Sequence, residues 1–298
     1  MTTIRPAGRE DLDATAAMLN EHSRRLHGAD DVTPRDLLQY WESPDVELGQ
    51  DILVAENDKG IVGYADVGLH GGHVWLDVRA TDDASLQPLL LAIENVAAAK
   101  MPEADLMGYT SADDEPLRDL FSGSGYELVR HSYRMRIALD GELPEPEWPD
   151  GFTVRPMREG EERRIYDAHN ASFAGTWMFH PEPYETWHHW FVEDPASDQT
   201  LWFVAEQGDE IAGIVIARPA EQEPGLGWIR ILGVLPEYRQ RGLGQALLRH
   251  TFREFQSRGF DAAGLGVDAE NPTGAVRVYE RAGMHVERTN LLFEKRQP

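Results

Sequence analysis

The order of apolar and polar positions along the chain describes one set of elements twice. In the first half, a short strand near residues 2–6 leads into an amphipathic helix from about Glu10 to Arg25, with Leu12, Ala16, Met18 and Leu19 among its apolar positions. A polar, irregular connection carries a short helix near Pro34–Trp41. Apolar runs then predict strands at Ile52–Glu56 and Ile61–Val67, joined by Asn57-Asp58-Lys59-Gly60, a composition suited to a hairpin turn. A strand at Val74–Val78, a helix at Ser85–Lys100, a strand at Leu106–Thr110, a short helix near Glu115–Ser122 and a hairpin through Tyr126–Leu139 follow. The second half predicts strands at Phe152–Pro156, Leu201–Glu206, Glu210–Ala217, Trp228–Val234, Ala262–Val267 and Val286–Phe293. Its helices fall near Glu161–Phe173, Leu243–Arg258 and Gly274–Ala282.

Short sequence matches support the repeat. Ile4-Arg5-Pro6 is echoed by Val154-Arg155-Pro156, Leu53-Val54-Ala55-Glu56 by Phe203-Val204-Ala205-Glu206, and Gly63 by Gly213, all at an offset of 150 residues. Three matches in one register argue against chance, and the chain reads as two copies of one fold. The proline- and acid-rich stretch 141–151 reads as a linker between domains at 1–140 and 152–298. Antiparallel hairpins followed by a strand–helix–strand–helix crossover predict an α/β (α+β) fold. Each domain would be a mixed, mostly antiparallel sheet with helices on both faces.

The stretch 228–258 carries the strongest chemical signal. An apolar strand ends at Pro236, and a helical period begins at Leu243 with Ala246, Leu247, Thr251 and Phe255 on one face. Between them lies Arg239-Gln240-Arg241-Gly242-Leu243-Gly244. Glycines at a helix start let backbone N–H groups approach a ligand, and the electropositive helix end suits an anion. A bare Gly-x-Gly is equally a tight turn. Here residues 228–258 hold six arginines against two glutamates, a local +4 on a chain of net charge −24. A positive loop on an acidic protein points to a local anion site.

Arg239-Gln240-Arg241-Gly242-Leu243-Gly244 resembles the acyl-CoA pyrophosphate loop of the GNAT acetyltransferase superfamily, [RQ]-x-x-G-x-[GA]. Residues 268–283, Asp-Ala-Glu-Asn-Pro-Thr-Gly-Ala-Val-Arg-Val-Tyr-Glu-Arg-Ala-Gly, resemble that superfamily's second motif, N-x-x-A-x-x-x-Y-x-x-x-G. The order of elements is similar to the GNAT fold along nearly the whole chain. The resemblance implies acetyl-CoA as co-substrate, held by Leu232, Gly233 and Val234 on the splayed strand, by Arg239, Gln240, Arg241, Gly242, Leu243, Gly244 and Gln245 at the loop, and by Asn271. It makes Val234 N–H the group facing the thioester oxygen and Tyr279 the acid for the leaving thiolate. A phenol is still protonated at neutral pH, so it can donate. Taken alone, Tyr279 is equally a core aromatic and Gly233 equally a bulge.

The acceptor side departs from the pattern. Gly225-Leu226-Gly227-Trp228-Ile229-Arg230-Ile231-Leu232-Gly233-Val234 is similar to a stretch of mycothiol synthase, a tandem GNAT family, but Trp228 stands where that family is expected to carry a glutamate. With no carboxylate on this strand, the base is a water relay, His180 or Glu182. The segment 173–190 is dense in aromatics and includes Trp177 and His180. It reads either as a small-molecule pocket, with Trp177, His180 and Trp228 as substrate candidates, or as packing onto the sheet. The first copy has lost its loop. Arg79-Ala80-Thr81-Asp82-Asp83-Ala84-Ser85-Leu86 has no glycine and two acids that repel pyrophosphate, and aligning Gly125 with Gly283 puts Phe121 opposite Tyr279.

The expected function is N-acetylation of a small primary amine in the C-terminal copy. Its alternatives are an acyl-CoA-binding regulatory protein and a protein or peptide N-acetyltransferase. Composition narrows the setting: 52 acidic against 28 basic residues argues against nucleic acid as partner. Cys is absent, which removes thiol catalysis and disulfides, and His188-His189 is not at metal-ligand spacing, so no metal is expected. Nothing approaches 18 consecutive apolar residues and the first residues lack a secretion-signal pattern, so a cytoplasmic protein with no membrane partner is expected. A monomer or homodimer both fit, since two fused copies can satisfy the pairing that single-domain relatives make as dimers.

Overall fold

Each half begins with a strand that one arginine ties to the helix after it. The computed structural model describes residues 2–70 and 72–297. Arg5 donates to both oxygens of Asp11 at 2.6 and 2.8 Å and to Glu56 at 3.0 Å. Asp11 also accepts from the Gly8 N–H at 2.8 Å, which closes the turn before the helix. At an offset of 150, Arg155 donates to Glu161 at 2.6 and 2.8 Å and to Glu206 at 2.9 Å, and Glu161 accepts from the Arg158 N–H at 2.9 Å. The repeat is therefore physical as well as textual: the same charges join first strand, second strand and helix start.

The chain forms two compact units, one of residues up to His131 together with those from Thr289, the other Ser132–Arg288. In the first half the elements are β1 (Thr3–Pro6), α1 (Leu12–His27), α2 (Pro34–Trp41), β2 (Ile52–Asn57), β3 (Gly60–His70), β4 (His73–Ala80), α3 (Leu86–Lys100), β5 (Leu106–Ser111), α4 (Glu115–Gly123) and β6 (Glu127–Ala138). The second half has β7 (Phe152–Pro156), α5 (Glu162–Phe173), α6 (Tyr184–Phe191), β8 (Phe203–Gln207), β9 (Glu210–Pro219), β10 (Leu226–Val234), α7 (Leu243–Ser257), β11 (Ala262–Asp268), α8 (Ala275–Arg281) and β12 (His285–Lys295). In the first unit β1 to β4 pair antiparallel in sequence order, β5 joins β4 in parallel, and Asn290–Lys295 of β12 pairs antiparallel with β5. In the second, β7 to β10 are antiparallel, β11 is parallel to β10, and Ser132–Ala138 of β6 is antiparallel to β11. Each unit is a mixed sheet of the expected GNAT order with helices on both faces. In the second unit α7 covers one face with Leu247, Phe252 and Phe255, and α5 and α6 cover the other with Ile165 and Trp187. Among the described residues no helix is long and apolar enough to cross a membrane.

Three expectations change. The hairpin expected through Tyr126–Leu139 is one strand, β6. Between Glu127 and Ala138 there is no Gly, Pro, Asn or Asp to turn the chain. The stretch 141–151, expected as a linker, is tied to α7. Gln256 donates to the carbonyls of Leu139 and Gly141 at 2.6 and 2.8 Å, and Arg253 to that of Leu143 at 3.0 Å. Finally, the aromatic segment contains α6, the offset-150 counterpart of α2. Its Tyr184, Trp187 and Phe191 recur at helical spacing, and Trp187 is buried.

The Arg155 contacts hold the Glu161 carboxyl at about 2, against an ordinary 4.5. A depressed carboxyl stabilises the fold fully above its unfolded value and loses that contribution as pH falls through the folded one. The stability lost between pH 4.5 and pH 2 from this group is about 3 kcal/mol at most. Glu161→Gln is expected to lower the melting temperature at pH 7 and to flatten the acid dependence between pH 4.5 and 2. Thermal melts across that range check it, and equal slopes for the two proteins would refute it.

Candidate active site

The site is built where β10 parts from its neighbour. β10 pairs with β9 from Gly227↔Pro219 to Val234↔Gly213, with a register shift between Ile229 and Ile231 that leaves Arg230 as the extra residue of a bulge. Its parallel pairing with β11 runs only from Leu226↔Ala262 to Ile229↔Leu265. Past the bulge the β11 side is open. The Leu235 N–H donates to the Ala212 carbonyl at 3.0 Å. Antiparallel ladders alternate their bonding, so Ile231 and Gly233 bond back to β9, and Leu232 and Val234 turn their N–H and C=O groups to the open side. Arg239 Nε takes the Val234 carbonyl at 3.1 Å. The Val234 N–H and both polar groups of Leu232 are left along an edge with no strand.

Gly233 is not the bulge. A Cβ there would stand 2.8 Å from Ser172 Cβ and Oγ, so this glycine makes room for helix α5. The loop that follows has two unusual backbone residues. Gln240 has φ 62 and Gly242 has φ 89. Gly242 is the N-cap of α7 and no side chain caps it, so the N–H groups of Leu243, Gly244 and Gln245 have no intrahelical partner. At Gly244 a Cβ would meet only ordinary contacts, 3.6 Å from Val234 Cγ2 and 3.8 Å from Leu232 Cδ2. Packing does not require glycine there, and the space it leaves lies beside the open edge. Arg239 is a brace: besides Val234 it reaches the Ser172 carbonyl at 2.6 Å. Arg241 is exposed, bonds the Glu237 carbonyl at 3.1 Å and lies over the Tyr238 ring at 5.7 Å.

Asn271 and Tyr279 come from the crossover after β11. Asn271 Oδ1 accepts from the N–H and hydroxyl of Thr273 at 2.9 and 2.6 Å, which folds the turn into α8. Tyr279 is 7% exposed and shares one apolar cluster with Leu243 and Leu247, against which Leu232 and Val234 also pack. Burial pushes its phenol up to about 12. The structure thus gathers the open edge, the helix start and the phenol around one core.

The substrate candidates are placed differently. Trp177 is 41% exposed and His180 is exposed, both on the connection from α5 to α6. Trp228 lies over Gly264, whose Cβ would stand 2.8 Å from Trp228 Cζ3. Arg134 stacks on its ring at 4.6 Å, held by Glu223 at 2.9 Å and Glu287 at 2.6 Å, with Arg136 bridging the same two acids. Where a glutamate was expected there is instead an aromatic ring under an ion network. The bulge sends Arg230 toward α6, where it binds the Trp190 carbonyl, Asp194 at 2.8 Å and the Phe191 ring at 4.2 Å.

Sequence reasoning missed His169 on α5. Trp187 Nε1 donates to its Nδ1 at 3.0 Å, and its ring meets Phe173, Phe179 and Phe191 at centroid distances of 5.2, 5.7 and 5.8 Å. Burial, aided by Arg230 and opposed by Glu182, pushes it down to about 4, so it is neutral at pH 7. A signal existed: at an offset of 150 the same two places hold Leu19 and Leu37, both buried in an apolar cluster.

The first unit differs at the corresponding places. Its β4–β5 pairing also stops early, at Leu76↔Gly108. But Asp82 accepts from the Ser85 N–H at 2.9 Å and closes the approach to α3 with its own carboxylate. Phe121 takes the place of Tyr279: each is followed four residues on by a glycine of positive φ, Gly125 or Gly283, and each accepts a backbone bond five residues on at 3.0 Å.

Residues 162–284 match the model of the Acetyltransferase (GNAT) family. A mycothiol acetyltransferase of Streptomyces avermitilis is 35% identical over 180 residues, covering 59% of this chain and 57% of that protein, so the match spans little more than half of it. Another from Geodermatophilus obscurus is 28% identical over 260 residues and 79% of each chain. A GCN5-related N-acetyltransferase from Sphaerobacter thermophilus superposes with a TM-score of 0.81 and 29% identity, over 100% of this chain and 96% of that one. A tandem GNAT protein from the clavulanic acid biosynthesis pathway reaches 0.77 at 12% identity over 100% and 99% of the two chains, a likeness of fold. Residues 162–284 are therefore a GNAT-family acetyltransferase domain, set in a chain with the tandem GNAT fold.

Proposed function

We propose that this protein is an N-acetyltransferase that moves the acetyl group of acetyl-CoA to a primary amine of a small molecule, with the chemistry in the second unit and the first unit degenerate. The observation that carries this reading is the open edge of β10 running into the uncapped start of α7. An extended pantetheine arm would pair with Leu232 and Val234, and the pyrophosphate would lie on the N–H groups of Gly242 to Gln245. The Asn271 amide N–H₂, whose oxygen is already engaged, would bond the arm as a donor. The Val234 N–H would polarise the thioester carbonyl as the amine attacks it. Collapse of the tetrahedral intermediate breaks the C–S bond, and Tyr279 gives its proton to the thiolate. A cytoplasmic enzyme acting on soluble amines fits this reading.

Relatives named mycothiol acetyltransferase support the reaction type. Trp228 under Arg134, in place of a strand glutamate, supports an acceptor other than theirs. With no carboxylate on β10, the ammonium proton would leave to water. The acid limb of the pH–rate profile is then expected to follow the pKa of each amine used. A limb fixed at one pH across amines of different basicity would instead require a base on the protein.

Gly242→Asp puts a carboxylate at the helix start and a side chain at φ 89. It is expected to weaken acetyl-CoA binding by roughly a hundredfold or more, and unchanged affinity by calorimetry would remove the loop from the site. Tyr279→Phe is expected to lower kcat by roughly a hundredfold with acetyl-CoA affinity unaltered. Since the phenol titrates near 12, wild-type turnover should show no loss from its ionisation up to pH 10. Full activity of the phenylalanine variant would end its role as acid.

A further inference from the structure

We propose that His169 is a specificity-determining residue of the acceptor site, donating a hydrogen bond from Nε2–H to an oxygen carried by the amine that is acetylated. The proposal rests on the transferase reading above and names its substrate class: small primary amines bearing a hydroxyl or carbonyl oxygen.

The proton's place follows from the partner. An indole N–H can only donate, so His169 Nδ1, 3.0 Å from Trp187 Nε1, must offer a lone pair. The ring is neutral, so its single proton sits on Nε2. This removes His169 as the base, because its lone pair is already engaged. It makes the ring a donor of fixed direction. Among the described residues the Trp187 contact is the only hydrogen bond to this side chain, so Nε2–H has no protein acceptor, although the residue is 9% exposed. Nε2 is not one of the enclosed polar atoms that lack a partner, so its N–H reaches open space where a small molecule can accept from it.

The surroundings suit a ligand. Phe173 and Phe179 bring the aromatic connection against the ring, and Phe191, stacked under Arg230, closes another side. His169 stands three residues before Ser172, about 4.5 Å along the helix axis, and Ser172 abuts Gly233 beside Val234. His169 thus stands about one turn along α5 from the residue that touches the strand proposed to hold the thioester. The first unit provides the internal comparison. In the same two places Leu19 and Leu37 pack without polar atoms. The fold does not need a hydrogen-bonded His–Trp pair here, and only the second unit has one.

The test uses the full-length protein with ¹⁵N-labelled histidine and saturating CoA. His169 should show an unprotonated Nδ1 and a protonated Nε2 at pH 7, and Trp187→Phe should abolish that preference. Ethanolamine and 3-aminopropanol should shift the Nε2–H signal, while propylamine and butylamine at equal concentration leave it in place. In turnover, His169→Leu should lose roughly tenfold or more of the kcat/KM preference for the amino alcohols over the alkylamines, with the KM for acetyl-CoA unchanged. His169→Gln, which keeps an N–H, should recover part of the preference. Equal shifts from both amine classes, no shift from either, or an undiminished preference in His169→Leu would overturn the proposal. If no amine is acetylated, the transferase reading fails and the Nε2–H shift alone decides the donor. If His169→Leu does not fold, the glutamine variant and the wild-type spectrum decide.

Discussion

One extra residue in β10 governs the site. The bulge at Arg230 ends the pairing with β11 while the pairing with β9 continues. A strand inside a sheet normally spends both of its edges on neighbours, and an unpaired edge invites another extended chain. Here the unpaired length is Arg230–Val234, and the loop after it ends at a helix start that no side chain caps. Unpaired backbone groups of both kinds, strand edge and helix start, therefore follow one another along one stretch of chain. Arg239 braces the loop to Val234 and to α5, and Gly233 lets α5 lie close.

The duplication separates what the fold needs from what the chemistry needs. Both units keep the arginine that joins two carboxylates at the entrance to the first helix, and both keep the early end of the parallel pairing. These features hold the sheet and helix in place whatever the unit does. The first unit has closed its helix start with Asp82 and replaced the phenol by Phe121. A carboxylate at the approach to the helix repels a phosphate, and a benzene ring has no proton to give.

In the second unit, polar groups sit where an apolar residue would pack as well. Tyr279 and His169 are both buried, and burial moves each away from its ordinary ionisation in the direction that keeps it neutral. A neutral phenol can donate, and a neutral imidazole anchored by Trp187 can donate in one direction only. Departures from local packing rules of this kind are where function is expected to show.

Local pattern determined much of this protein. The repeat, the α/β order, the strand–loop–helix at 228–258 and the turn before Tyr279 are written in contiguous residues, because periodicity and glycine placement act over a few positions. What depended on residues distant in the chain was not legible. β6 is one strand rather than a hairpin, and it lends Arg134 to Trp228 from about ninety residues away. Arg239 became a brace because α5 offers it the Ser172 carbonyl. Gly233 answers to Ser172 and not to a bulge. His169 acquired a fixed proton only when α6 brought Trp187 against it. Side-chain roles are set by which atoms meet, and only the tertiary structure decides that.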